Sequence, residues 1–107
     1  MVASTVLGMG MVTFVDETTS GERRDALGLE VAEERLALRE LIRRRVLEEV
    51  VDGQDARGAY ERAIEAFGRN GFLVLVGDRQ IEELDQQLEL GSATEVTFLK
   101  LVPLVGG

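Results

Sequence analysis

Phe72-Leu73-Val74-Leu75-Val76-Gly77-Asp78-Arg79-Gln80-Ile81 decides the fold. Five apolar residues in a row, Val-rich and bounded by glycines, suit a buried central strand rather than a half-exposed one. Asp78 to Ile81 reads as a turn and a short strand. Upstream, Ala56, Ala59, Tyr60, Ala63, Ile64 and Phe67 make a helical stripe that runs to Gly68. Gly71 ends that helix, and its small residues allow close packing against an earlier one.

That earlier helix is expected within Leu36 to Val51, where Leu38, Leu41 and Ile42 form one stripe. At ~100° per residue the stripe then fails, because Arg45 and Glu49 fall on its continuation. Val46, Leu47, Val50 and Val51 lie to one side. The first half of the helix should pack on the sheet and the second half on the Ala56–Phe67 segment, with Gly53 as the stop signal between them. Further back, Val12-Thr13-Phe14-Val15 suits a strand. Asp16 to Asp25 carries turn chemistry at Thr18, Thr19, Ser20 and Gly21. Leu27, Leu29 and Val31 alternate as a half-buried strand. The two strands read as a hairpin with a long connection, preceded by a tail over residues 1–10.

Downstream, Glu82 to Leu90 reads as a short helical turn with Leu84, Leu88 and Leu90. Gly91 and Ser92 turn the chain into a last strand from Glu95 that runs to Gly106-Gly107. In that strand either Val96 and Phe98 or Thr97, Leu99 and Leu101 face inward, since a one-residue slip exchanges the faces. Val96 and Phe98 inward is the preferred register. The order β, β, α, α, β, short β, β is an α+β pattern with one main helix crossing a mixed sheet.

Composition bounds the function. A chain of 107 residues is one domain with a small core. The net charge of −8 argues against nucleic acid and against an anionic membrane surface. It fits a soluble protein that meets basic patches on partners, and the absence of Cys is compatible with a reducing cytoplasm, where the protein is expected. No Cys or His is present, which removes the thiol nucleophile, the thiolate metal site and the commonest general base. No secretory signal is expected, because no basic stretch precedes the first apolar residues. Glu82, Glu83, Asp85 and Glu89 match no metal-loop spacing and read as surface, so neither a metal nor a cofactor is expected. Arg43-Arg44-Arg45, with Glu40, Glu48 and Glu49 on the same helix, reads as a solvated face laced with ion pairs.

The order of elements, the Val74–Ile81 stretch and the Gly-Gly ending together resemble ubiquitin and its relatives in the β-grasp fold. Leu73 to Ile81 looks like ubiquitin's third strand, glycine turn and short fourth strand. Glu95 to Gly107 sits where the last strand and tail lie. The second helical stripe is extra. The ending Pro103-Leu104-Val105-Gly106-Gly107 is closer to the bacterial sulfur carriers of molybdopterin and thiamine synthesis. Ubiquitin-like modifiers of bacterial conjugation operons share features of both groups. On this reading residues 1–10 are a tail, 11–102 the β-grasp domain and 103–107 a Gly-Gly tail.

The resemblance implies a substrate rather than an enzyme. An activating enzyme would adenylate Gly107 with ATP, and Gly106 and Gly107 would form the thread that enters its active site. The acyl group would then pass to a cysteine and on to a target protein, with a conjugating enzyme and a processing protease as further partners. The rival route ends in a thiocarboxylate, which makes the chain a sulfur carrier. A third reading keeps the β-grasp as an interaction module without conjugation. By position, Val74 and Leu101 resemble ubiquitin's exposed apolar patch, with core as the competing reading. Leu99, Leu104 and Val105 complete the expected partner surface. Lys100 is the only lysine and hence the expected acceptor for self-linked chains.

Overall fold

The computed structural model describes residues 10–50, 54–91 and 93–100. Strand β1, Gly10–Thr18, and strand β2, Arg23–Val31, form the opening hairpin. A three-residue strand β3, Arg35–Ala37, leads into helix α1, Leu38–Glu49. Helix α2, Ala56–Gly68, precedes strand β4, Phe72–Val76, and strand β5, Arg79–Ile81. Strands β6, Gln87–Glu89, and β7, Thr94–Lys100, close the order.

Five strands make one mixed sheet in the order β2-β1-β7-β4-β5. The last strand is its centre. It runs parallel to β1, from Val12 opposite Thr94 to Thr18 opposite Lys100, and antiparallel to β4. A parallel neighbour cannot be reached by a tight turn, and here the helical connection and the β4–β5 hairpin supply the crossover. The β4–β5 turn closes on Val76 opposite Arg79, and Gly77 takes φ +62° there, where a side chain would be strained. Among the described residues a mixed sheet and two helices give an α+β fold that is compatible with a β-grasp.

Register sorts the faces. One inner row runs Leu27, Phe14, Val96, Val76; the next runs Arg24, Asp16, Phe98, Val74, Ile81. Against these rows α1 packs Leu38, Leu41 and Ile42, and the core also takes in Val12, Val31, Leu36, Leu88 and Leu90. Val96 and Phe98 therefore face inward, as the preferred register had it.

Two readings are corrected. The segment 82–90 is not a helical turn: its second half is β6, whose Leu88 pairs with Leu36 of β3. That pairing has a purpose for α1. Ala37 at the helix N-cap offers no side-chain hydrogen bond, and the orphan N–H groups of Leu38 and Arg39 donate instead to the carbonyls of Gln86 and Leu84, at 3.0 and 2.9 Å. The long connection expected over residues 16–25 is also shorter. Both strands extend into it, and a tight turn at Thr18–Glu22 remains, with the N–H of Gly21 donating to the Thr18 carbonyl at 3.0 Å.

Candidate functional site

Of the residues the sequence singled out, Leu99 and Lys100 lie on the central strand β7 and Val74 on its neighbour β4. The outer face of β7 continues three rows: Thr13 and Glu95; Val15, Thr97, Leu75 and Gln80; Glu17, Leu99 and Leu73. Leu73, Leu75 and Leu99 are half-buried there. Val15 and Thr97 are buried although they stand outside the main core cluster. At the margin Arg23 donates to Glu95 at 2.6 Å and to Glu17 at 3.4 Å, and the Glu95 hydrogen bond raises the guanidinium pKa. Met11, 38% exposed, lies on the same face at the other end of β1.

Val74 does not belong to this surface. It has 0% exposure and sits in the inner row between Phe98 and Ile81. A strand alternates sides at every residue, so it is the flanking Leu73 and Leu75 that reach the outer face. Sequence reasoning assigned the patch by position and was one residue out of register on β4. Leu99 is where it was expected. Gly106, Gly107, Leu101, Leu104 and Val105 lie outside the described residues, as do residues 1–9 of the expected N-terminal tail, Val51 and Gly53. Lys100 is exposed at the last position of β7, opposite Thr18 and Phe72.

A second feature corrects the reading of Arg43-Arg44-Arg45 as one solvated face. Arg45, on the continuation of the apolar stripe of α1, is only 9% exposed. Two of its nitrogens donate to both oxygens of Asp16 on β1, at 3.0 and 2.8 Å, and its Nε donates to Glu49 at 2.8 Å. Its guanidinium carbon lies 5.6 Å from the Phe14 ring centroid and 5.3 Å from that of Phe98, within cation–π range. Burial opposes the charge, but the hydrogen bonds to Asp16 and Glu49 outweigh it and the pKa is raised. The other two arginines of the run behave as a solvated face: Arg43 pairs with Glu40, and Arg44 with Glu40 and Glu33. Only the alternation of β1, which puts Asp16 on the side of Phe14, could have signalled that Arg45 differs.

Below this cluster the inner face ends in an open groove of about 850 Å³. Phe72, Phe98 and Lys100 form its floor, the hairpin end from Asp16 to Arg24 one wall, and Ala66 and Gly71 at the end of α2 the other. Phe98 stacks on Phe14 at 5.5 Å and meets Phe72 edge-on at 5.7 Å. In the acidic stretch after β5, Asp85 pairs with Arg39 at 2.9 Å and Glu89 with Arg35 at 3.9 Å. No described helix is long and apolar enough to cross a membrane.

No family model, no curated protein and no solved structure matches this chain.

Proposed function

We propose that the chain is a ubiquitin-like protein modifier whose Gly107 carboxylate is adenylated by an activating enzyme and transferred to target proteins. One observation carries the reading. The last strand occupies the centre of the sheet, parallel to the first, and the sequence runs from it through Pro103 to Gly106-Gly107 within seven residues of Lys100. A reactive thread rooted in a central strand has a rigid base and a slender end, which is what insertion into another protein's active site requires. The likeness to ubiquitin itself is one of fold and ending and is an analogy.

The chemistry asks nothing of this chain's side chains. ATP and the Gly107 carboxylate give an acyl-adenylate and pyrophosphate. An enzyme thiol displaces AMP to form a thioester, and a target amine then displaces the thiol, losing its proton to solvent. The outer face with Leu73, Leu75 and Leu99 is the recognition surface for the enzymes that do this, and Lys100 is the one lysine open to self-linkage. The Pro103-Leu104-Val105-Gly106-Gly107 ending favours a second reading, in which sulfide rather than a thiol takes the acyl group and the product is a thiocarboxylate.

Incubation with an adenylating enzyme encoded beside this gene, with ATP, separates them by intact mass. A thioester adduct cleaved by dithiothreitol, followed by adducts on other proteins, is expected for the modifier. A sulfur-for-oxygen mass gain on this chain alone selects the carrier. Absence of any adduct sinks both and leaves an interaction module, and conjugation that survives deletion of Gly107 overturns the assignment of the reaction to that residue.

A further inference from the structure

We infer that the outer face of the five-stranded sheet docks a partner-protein segment that is apolar at one end and basic at the other. This deepens the recognition surface named above and rests on that surface, but not on any reaction at Gly107.

Register sorts the charges of the sheet by face. The outer rows carry Glu17, Asp25, Glu30 and Glu95 against one cation, Arg23. The inner rows carry Asp16 against Arg24, Arg79 and Lys100. The acid outside is therefore a local excess and not the net charge of −8 spread evenly. The one cation is already committed: Arg23 pairs with Glu95 at 2.6 Å and with Glu17 at 3.4 Å. Arg23 stands opposite Glu17, and Glu95 opposite Thr13, so the bridge crosses β1 at Val15, which has 0% exposure. Asp25 and Glu30 are exposed and make no ion pair or side-chain hydrogen bond among the described residues. Asp25 acts on Arg23 through space only. Across the face Leu73, Leu75 and Leu99 are half-buried and stand outside the core cluster. Asp25 and Leu75 share one row, with Val15 and Thr97 between them. Three strand spacings separate them by ~14 Å. An occupant that covers the leucines and neutralises the open carboxylates carries Arg or Lys about four extended residues from its apolar side chains. Carboxylates in that place are repelled, which gives the face its selectivity.

The test titrates the capped peptide Leu-Phe-Leu-Thr-Ser-Arg-Arg into the ¹⁵N-labelled full chain at ~0.15 M salt, where charges beyond ~8 Å are screened and the overall negative field matters little. Saturable amide shifts centred on Leu73, Leu75, Leu99 and Asp25 are expected. Counterparts ending in Asp-Asp, or with Ser for each apolar residue, should bind about tenfold more weakly. Asp25→Asn with Glu30→Gln, both on exposed side chains, should weaken the basic peptide several-fold. Glu48→Gln with Glu61→Gln removes the same charge from the helices and should leave the affinity unchanged. Leu75→Thr should weaken binding while the shifts of the inner-face residues show the fold intact. Equal binding of the Asp-Asp or the Ser counterpart overturns the inference. So do equal weakening by the helix variants, shifts centred on Phe72 and Phe98, or no saturation at millimolar peptide. The titration does not involve Gly107, so its failure and that of the conjugation reading are separable.

Discussion

Helix α1 buries Leu38, Leu41, Ile42 and Arg45; helix α2, one residue longer, buries none of its thirteen. Yet α2 has the better local signals. Asp55 caps it by accepting from the Gly58 N–H at 3.0 Å, and its apolar stripe is the cleaner one. At its far end Asn70 takes φ +60°, and the Gly71 N–H returns to the Ala66 carbonyl at 2.7 Å. Helix α1 has no side-chain cap and a stripe interrupted by a cation. Local sequence makes α2 a helix, and tertiary burial makes α1 one. The difference assigns their roles: α1 holds the sheet in shape, and α2 lies against its flank through Tyr60, Ala63, Ile64 and Phe67 and walls the groove.

The largest expected effect tests that division directly. Leu41→Ala removes a side chain with 0% exposure from the centre of the core and should cost ~2–5 kcal/mol in urea unfolding. Ile64→Ala on α2 removes a half-buried one and should cost ~1–2 kcal/mol. Equal losses would mean that α2 is as much a part of the core as α1.

Arg45 is where the comparison sharpens next. Arg45→Ala removes the guanidinium that lies over the Phe14 and Phe98 rings and leaves Asp16 without its bidentate partner. Asp16 is about a third exposed, so water takes part of the loss, and ~1–3 kcal/mol is expected. Arg45→Met retains the stem and should cost less, and adding Asp16→Asn should return part of the remainder, since a lone charge is worse than no charge. A cycle with no coupling energy would show the pair to be ornamental to α1.

These two helices also mark what was legible. The order of the other elements, the inward register of Val96 and Phe98 and the extra helix could be read, because periodicity and glycine punctuation are local properties of the chain. The stripe of α1 looked broken at Arg45, because its carboxylate partner is 29 positions earlier on another element. The β3–β6 pair was missed for the same reason: three-residue strands have too little period to announce themselves, and Leu88 is explained only by Leu36. Val74 was placed on the partner surface by analogy with position. The strand is apolar on both sides, so nothing in its composition says which side is out. Gly106 and Gly107 were legible only as an ending.

A smaller effect follows from the cap. Asp55→Ala should lower stability by ~0.5–2 kcal/mol and speed amide exchange in the first turn of α2, with β1 and β7 unaffected. Asp55→Gly should cost only a few tenths of a kcal/mol. Loss of protection across the sheet would contradict the view that α2 is locally made and peripheral.

The smallest effect concerns how α1 is tied to the chain before it. Both oxygens of Glu33, between β2 and β3, accept from Arg44, at 3.0 and 2.7 Å. The Arg44 hydrogen bond and backbone N–H donors hold the Glu33 carboxyl at about 2 instead of its ordinary 4.5. A carboxyl whose pKa is lower in the folded than in the unfolded chain stabilises the fold above its ordinary value, and that contribution drains away as pH falls from about 4.5 towards 2. The pair is open to solvent and salt weakens it, so only a slight slope is expected. Glu33→Gln should flatten the unfolding midpoint against pH across that window and leave it unchanged near neutrality in shape. High salt should mimic the substitution in the wild type. An unaltered acid slope in Glu33→Gln would show that the Glu33–Arg44 pair does not contribute to the acid sensitivity of the fold.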